Sequence, residues 1–147
     1  IVEHYYRTHH QRLTDAVDIE LSKGDSALII DCHSFPDTAY YFNQDFEKKR
    51  TDICIGTDKF HTPKVLLEIT KKFFLSKGYT VSVDYPYFGT IVPLKHYKKD
   101  KRVSSIMIEV NCKLYMDEDG FKTEHYDDLK VELNELLIRI YDDNRRS

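Results

Sequence analysis

The 147-residue sequence has few glycines, no long apolar run and no excess of basic residues, and each absence excludes a class of protein. Its five glycines form neither a glycine-rich phosphate loop nor the Gly-x-Ser-x-Gly elbow of serine hydrolases. No apolar run approaches the roughly 20 residues that a membrane helix needs. The net charge is −3, whereas nucleic-acid-binding domains usually carry a basic face. We therefore expect neither a membrane nor a nucleic acid as a partner.

Cysteine is also scarce. The three cysteines are an odd number without metal-like spacing, which predicts reduced thiols and a cytoplasmic location. Cys32 and Cys54 lie in apolar runs, so we expect both thiols to be buried and unreactive. With 41% hydrophobic and 32% charged residues, the composition is that of a globular chain. No repeat or linker divides the sequence, and we expect residues 1–147 to form a single domain or the C-terminal part of one.

The hydrophobic pattern predicts an α/β fold. Apolar residues recur every three or four positions in three segments, as in amphipathic helices, and short apolar runs between them are typical of strands. This order favours a layered domain with a mixed or mostly parallel sheet flanked by helices. Thr62 is predicted to cap the second helix. The predicted helices span residues 2–23, 62–77 and 124–142, and the predicted strands span 27–31, 52–57, 79–84 and 104–111.

Polar residues stand where each predicted strand ends. If the strands are parallel, their ends meet at one edge of the sheet, where open α/β sheets bind ligands. We therefore expect a site at that edge, although strands also end in polar turns for structural reasons alone. The residues concerned are Asp31 and His33, Asp58, Asp84, and Glu109 with Asn111.

The first of these ends contains a candidate metal ligand, His33. Neutral imidazole is a common zinc ligand. Because side chains alternate along a strand, Asp31 and His33 share a face and Cys32 points away. Asp31 is then placed to orient the His33 ring as a hydrogen-bond acceptor behind the metal. The alternative is a histidine that only forms a hydrogen bond at the strand end.

The last strand contains a candidate general base, Glu109. It stands in the apolar run Ile106–Val110, where an unpaired carboxylate is costly. Burial would raise its pKa toward the range that suits a general base. The alternative is a structural salt bridge with a basic neighbour.

The remaining histidines and the basic stretch 95–102 give weaker signals. A charge run of this kind can hold an anionic group but is usually a solvated loop. His61, His96 and His125 are predicted to lie on the surface.

Four segments together resemble the N-formylglutamate amidohydrolase family, in the same order and with similar spacing. They are Leu28–Ser34, Asp52–Thr57, Pro86–Gly89 and Ile108–Met116. The pair of motifs Asp-Cys-His-Ser and Glu-x-Asn-x-x-Leu-Tyr-Met carries most of the likeness. The resemblance extends from about Tyr5 to the last helix.

The resemblance implies the phosphorylase/zinc-carboxypeptidase-like fold and a Zn²⁺-dependent hydrolase of an amide next to a carboxylate. It matches His33 with the family's third zinc ligand and Glu109 with its general base. A zinc-polarised water would attack the acyl carbonyl, and the glutamate would carry the proton to the leaving nitrogen. The residues that it matches with substrate-binding positions are Ser34, Asn111, Tyr87, Gly89 and His10.

Two departures from the family pattern affect this expectation. The family's other zinc ligands lie in an N-terminal portion with a His-Ser-Gly type motif, which nothing in this chain matches. Because Ile1 already lies in helical sequence, we expect a further N-terminal segment that carries those ligands. The family also usually has an arginine after the Asn, where this chain has Cys112, so a bidentate hold on a substrate carboxylate is missing there.

The sequence therefore predicts a zinc-dependent hydrolase of an N-acyl (N-formyl) amino acid amide bond, acting on a small acyl-amino-acid substrate. Two alternatives remain open. One is a carboxypeptidase-like or other acyl-amino-acid amidase, and the other is a catalytically inactive binding or regulatory domain that keeps the fold.

Overall fold

The structure is a computed structural model, and it describes residues 2–39 and 49–144. Within these ranges no helix combines the length and the apolar character that crossing a bilayer requires. A wide π-type turn, Val2–Arg7, leads into the first α-helix. The elements in chain order are α1 (Thr8–Lys23), β1 (Ala27–Phe35), β2 (Ile53–Gly56), α2 (Lys64–Ser76), β3 (Val81–Val83), β4 (Val103–Asn111), a short 3-10 turn (Cys112–Leu114) and α3 (Tyr126–Asn144).

The four strands form one mixed sheet in the order β1-β4-β2-β3. Strand β1 runs parallel to β4, and β2 runs parallel to β3. Strands β2 and β4, at the centre, are antiparallel to each other. The predicted α/β class with a mixed sheet flanked by helices is therefore confirmed.

Because the two central strands are antiparallel, the carboxyl ends of the four strands lie at two opposite edges of the sheet, two strands at each. His33 and Asn111 lie at one edge, where β1 and β4 end. Asp58 and Asp84 lie at the opposite edge, because β2 and β3 run in the other direction. The expected convergence of all four polar strand ends at one edge is therefore wrong.

Helices α2 and α3 cover one face of the sheet with the main hydrophobic core. Phe73 and Phe74 of α2 and Leu136 of α3 are fully buried there against Ile55 and Ile106 of the sheet. Burying side chains of this size contributes about 1.5–3 kcal/mol each. The core fixes the positions of β2 and β4 and therefore the register of the polar residues along them.

Helix α2 begins without the predicted cap. The residue before its first turn is Pro63, and no side chain caps the helix. The Thr62 hydroxyl instead donates to the carbonyl oxygen of Ser105, at 2.7 Å, and accepts the backbone N–H of Asp58, at 2.9 Å. The prediction that Thr62 caps α2 is wrong because this hydroxyl joins the turn to β4.

The opposite face of the sheet carries helix α1 and a smaller cluster. Val17 of α1 packs against Ala27 and Val103, the first residues of β1 and β4, with Leu21 and Ile29 beside them. Helix α1 thus covers the beginnings of these two strands. This cluster does not include Asp31 and His33, further along β1 on the same face.

Two histidines that were predicted to lie on the surface are buried. His61 is 1% exposed, and its ring donates from Nδ1 to the Val103 carbonyl and accepts the Lys98 N–H at Nε2. His96 is 6% exposed and lies 2.8 Å from Asp18. Both rings can be buried because their nitrogens have polar partners within the protein. The surface prediction is therefore wrong for His61 and His96. His125 is exposed, as predicted.

The cysteine prediction is half right. Cys54 is buried, whereas Cys32 is exposed because it lies on the outermost strand of the sheet. In the basic stretch 95–102, Lys95 pairs with Asp18 and Arg102 pairs with Asp100. Those cations are therefore engaged within the protein.

Candidate functional site

The candidate site lies where β1 and β4 run side by side towards their ends. The parallel register places His33 directly beside Glu109. Neighbours in register point to the same face of a sheet, and alternation adds Asp31 to that face. This is the face of the sheet that carries α1.

His33 is held by Asp31, as the alternation of side chains predicts. The His33 Nε2 lies 2.8 Å from Asp31 Oδ1, and the other carboxylate oxygen accepts the Ile91 N–H at 3.2 Å. A carboxylate only accepts, so in the neutral form of the ring Nε2 is the donor and Nδ1 has the free lone pair. The His33 side chain is 50% exposed. The ring is thus oriented and accessible, with one nitrogen suited to a metal.

Glu109 is a buried carboxylate with an unsatisfied oxygen. The residue is 7% exposed, and its Oε2 has no hydrogen-bond partner in the described part of the chain. Burial raises the pKa of this carboxyl; the nearby His33 opposes the rise and Asp31 adds to it. The structural salt bridge considered from sequence is not present among the described residues. A carboxylate whose pKa is raised by burial accepts a proton more readily than an exposed one.

A loop holds Tyr87 near the same face. The Cys54 thiol, whose residue is the register partner of Glu109 on β2, contacts the carbonyl oxygens of Tyr85 and Tyr87 at 3.2 and 3.3 Å. The Tyr87 ring packs on Phe35, with 5.4 Å between ring centroids. Tyr87 therefore lies next to the last residue of β1, and its contact with a substrate stays a prediction.

Arg50 is a neighbour of this loop that sequence reasoning missed. Its guanidinium lies 5.6 Å from the ring centroids of both Phe35 and Tyr87, and its Nη1 donates to the Pro36 carbonyl. The residue is 4% exposed. In sequence it ends the charged run Glu47–Arg50, which is typical of a solvated surface, so no signal distinguished it.

Gly89 has a local structural reason to be glycine. Its φ is +84°, a conformation that favours glycine. Its carbonyl oxygen approaches Gly56 so closely that a Cβ on Gly56 would overlap it. The loop of residues 85–89 is therefore pressed against the end of β2, and a ligand role for Gly89 stays a prediction.

Asn111 is fully buried, and its side-chain amide links neighbouring segments through hydrogen bonds. Its Nδ2 donates to Asp37 Oδ1 and to the Thr51 carbonyl, at 2.8 and 3.2 Å, and its Oδ1 accepts the Lys113 N–H. The Lys113 ammonium lies 3.0 Å from Asp37 and 3.3 Å from Asp52. This lysine, the cation next to Cys112, is thus engaged by two carboxylates.

The last two predicted substrate residues are Ser34 on β1 and His10 on α1. Ser34 is exposed and, by alternation, points to the α3 side of the sheet, opposite to His33. His10 lies on α1 and contacts Tyr6 and His9, with ring centroids 4.2 and 5.4 Å apart. A substrate contact for either residue stays a prediction.

The residues of this site fit part of a zinc centre. His33 offers a free ring nitrogen with its tautomer fixed by Asp31, which is the usual arrangement behind a zinc-bound histidine. Among the described residues, no group of three or more His, Cys, Asp or Glu side chains is placed to hold a metal ion. A catalytic zinc takes about three protein ligands, and His33 would supply only one; its role as a ligand stays a prediction.

Residues 1–116 match the family described as N-formylglutamate amidohydrolase. The chain belongs to this family. The match includes the strands that carry His33 and Glu109, so the family resemblance inferred from the motifs is confirmed. Among curated proteins, no match was found.

Two solved structures share the fold of this chain. The chain is 27% identical to the N-formylglutamate amidohydrolase from Ralstonia eutropha JMP134, with a TM-score of 0.85 over 99% of this chain and 53% of that chain. A gene product of Agrobacterium tumefaciens has the same fold, with 16% identity and a TM-score of 0.67 over 98% of this chain and 53% of its own. The chain therefore spans about half the length of both structures.

Proposed function

We propose that this amidohydrolase-family chain takes part in Zn²⁺-dependent hydrolysis of an N-acyl, and specifically N-formyl, amino acid amide bond. The observation that carries the proposal is that His33 lies in register beside Glu109, a buried carboxylate with one oxygen that has no hydrogen-bond partner among the described residues. Leaving a buried polar atom unpaired costs about 1–3 kcal/mol. Such a cost is typical of a group kept for chemistry rather than for stability.

In the proposed reaction Glu109 moves the proton. As the oxygen of a water molecule bonds to the acyl carbon, one of its protons passes to the carboxylate of Glu109. When the carbon–nitrogen bond breaks, the same proton passes to the leaving nitrogen, which departs as an amine. The products are a carboxylic acid, formic acid for a formyl group, and a free amino acid.

His33 would hold zinc through Nδ1, and Asp31 would fix the ring by accepting the Nε2 proton. Zinc bound there would supply Lewis-acid polarisation of the water and the acyl oxygen. The other ligands that zinc needs would come from outside this chain, as the family resemblance implies.

For the substrate, a small acyl-amino acid, Tyr87 and Gly89 are the contacts that the geometry supports best, since their loop lies beside the end of β1. Cys112 stands where the family usually has arginine, and Lys113 is engaged by Asp37 and Asp52. This favours a broader amidase as the runner-up to a formylglutamate enzyme. Three free thiols are consistent with the reducing, cytoplasmic location that forms part of the proposal.

A second candidate is a binding or regulatory domain without catalysis. The observation that favours it is that His33 is a single metal ligand among the described residues. The two candidates differ in whether the protein expressed from its complete reading frame holds metal.

The test is zinc content together with hydrolysis of N-formylglutamate and N-formylglutamine, for protein expressed from the complete reading frame. We expect about one zinc per protein, with His33→Ala losing the metal and His125→Ala, an exposed control, keeping it. Metal-free protein without hydrolysis would refute the proposal and support the binding domain. Hydrolysis that His33→Ala leaves intact would also refute the assigned role.

A further inference from the structure

Arg50 is a buried cation that the proposed hydrolysis leaves without a role. The residue is 4% exposed, and a buried charge is costly unless it has partners. Its guanidinium lies 5.6 Å from the ring centroids of Phe35 and of Tyr87, and its Nη1 donates to the Pro36 carbonyl at 2.8 Å. A planar guanidinium can contact aromatic rings and donate hydrogen bonds at the same time. Arg50 therefore joins the end of β1 to the loop that carries Tyr87.

Tyr87 has contacts on both sides of β4. Its carbonyl oxygen lies 3.3 Å from the Cys54 thiol on β2, and its ring centroid lies 5.4 Å from that of Phe35 on β1. Strand β4 lies between those two strands. Glu109 of β4 is the register partner of Cys54, and Asn111 is that of Phe35. The position of the loop across β4 is thus set at the register positions of the candidate base.

We propose that Arg50 is a positioning residue for the hydrolysis. Its guanidinium holds Tyr87 against Phe35 and so fixes the loop of residues 85–89 beside the end of β1, on the side where the substrate binds. Because its side chain is buried, Arg50 acts through Tyr87 and does not touch the substrate. The substrate side of this inference rests on the proposed function, whereas the hold on the loop can be measured in protein without activity.

The reactivity of the Cys54 thiol reports the position of the loop. Cys54 is fully buried. Its thiol contacts the carbonyl oxygens of Tyr85 and Tyr87, at 3.2 and 3.3 Å. A loop released from Phe35 should therefore leave the thiol accessible to a reagent.

The first experiment follows the modification of Cys54 by N-ethylmaleimide, resolved from the other cysteines by peptide mass spectrometry. It uses protein expressed from the complete reading frame. Arg50→Met should accelerate the modification at least about tenfold, because local opening exposes the thiol. Lys49→Met, at the exposed neighbouring position, is the matched control and should stay within about twofold of wild type.

Global unfolding would also expose Cys54, so the unfolding constant of each variant is measured by urea denaturation. A released loop predicts an acceleration larger than the factor by which that constant rises. Unchanged reactivity of Cys54 in Arg50→Met would overturn the inference. An acceleration that the unfolding constant fully explains would overturn it as well.

The second experiment is steady-state hydrolysis of N-formylglutamate by the zinc-loaded, complete protein. A displaced loop weakens substrate binding but leaves the proton acceptor in place. Arg50→Met should therefore raise KM at least about tenfold and lower kcat by less than about threefold. A purely structural role would reduce the amount of active enzyme and leave KM unchanged, and that result would overturn the inference.

A double-mutant cycle tests whether Arg50 acts through Tyr87. Tyr87→Ala should raise KM at least as much as Arg50→Met does. The double variant should then have a KM within about threefold of that of Tyr87→Ala, because the arginine has lost the ring on which it acts. Fully additive effects on KM would contradict this route.

Arg50→Lys is a milder second variant. It keeps the positive charge but loses the planar group that contacts both rings. Cys54 modification and KM should each rise at least about threefold in this variant, and wild-type values of both would overturn the inference. If wild-type protein does not hydrolyse the formyl substrates, the proposed function fails, and Cys54 modification still decides whether Arg50 holds the loop.

Discussion

Acidic residues stand near both ends of the sheet, but within residues 2–39 and 49–144 a buried carboxylate oxygen without a partner occurs only in the half where β1 and β4 end. At the edge where β2 and β3 end, Asp84 accepts the Thr57 N–H and hydroxyl, at 2.7 and 2.6 Å. Asp58 beside it accepts the N–H groups of Phe60 and His61. In the other half of the sheet, Glu109 is buried, and no described residue is a hydrogen-bond partner of its Oε2.

This difference shows how to separate structural acids from candidate catalytic ones. Asp58 and Asp84 have the hydrogen bonds that a folded loop requires, and the pKa of Asp58 is lowered by backbone hydrogen bonds that outweigh its burial. Glu109 has the opposite state, with a raised pKa caused by burial. The position of an acid at the end of a strand therefore does not identify a site, whereas its unsatisfied burial does.

The largest effect should come from Glu109→Gln. Removing the proton acceptor should lower kcat of the zinc-loaded, complete protein by about 10²–10⁴-fold, because this is the range that general bases contribute. The measurement is steady-state hydrolysis of N-formylglutamate alongside zinc content, which should not change. Glu68→Gln, on the exposed side of α2, is the control and should retain normal turnover. Near-normal turnover of Glu109→Gln would eliminate the base role.

Asn111→Ala should lower the stability of the folded protein. The buried amide joins Asp37, Thr51 and Lys113, and its loss leaves those groups underpaired. We expect a loss of about 2–3 kcal/mol in the free energy of unfolding, measured by urea denaturation. Asn134→Ala, at an exposed position on α3, should cost less than about 0.5 kcal/mol. Similar losses for the two variants would show that the hydrogen bonds of Asn111 do not stabilise the fold.

At the opposite edge, Asp84→Asn should have a modest effect that is purely structural. The Asp84 carboxylate holds Thr57 but is itself exposed, so the loss should be about 1 kcal/mol in unfolding free energy. Turnover of the complete protein should stay within about twofold of normal, since this acid lies away from Glu109. A large loss of turnover with normal stability would show that Asp84 has a role in the reaction and is not purely structural.

The sequence predicted local features well and long-range ones poorly. Burial of Glu109 followed from a single carboxylate in an apolar strand, and the Asp31–His33 contact followed from alternation. The direction of β2 against β4 could not be read from either strand alone, so the convergence of four ends was wrong. The burial of His61 and His96 depends on partners such as Lys98 and Asp18, which are 37 and 78 residues away in sequence.

The central claim, that Glu109 is kept as an unsatisfied buried acid, is tested most directly by the stability of metal-free protein across pH. A carboxyl whose folded-state pKa is raised costs stability as pH rises above its unfolded value of about 4.3. Because Glu109→Gln and wild type differ only at this side chain, the difference between their unfolding free energies isolates the contribution of the Glu109 carboxyl. We predict that unfolding free energy shifts in favour of Glu109→Gln between about pH 4 and pH 8. A difference that stays flat over this range, or that shifts in favour of wild type, would contradict the account.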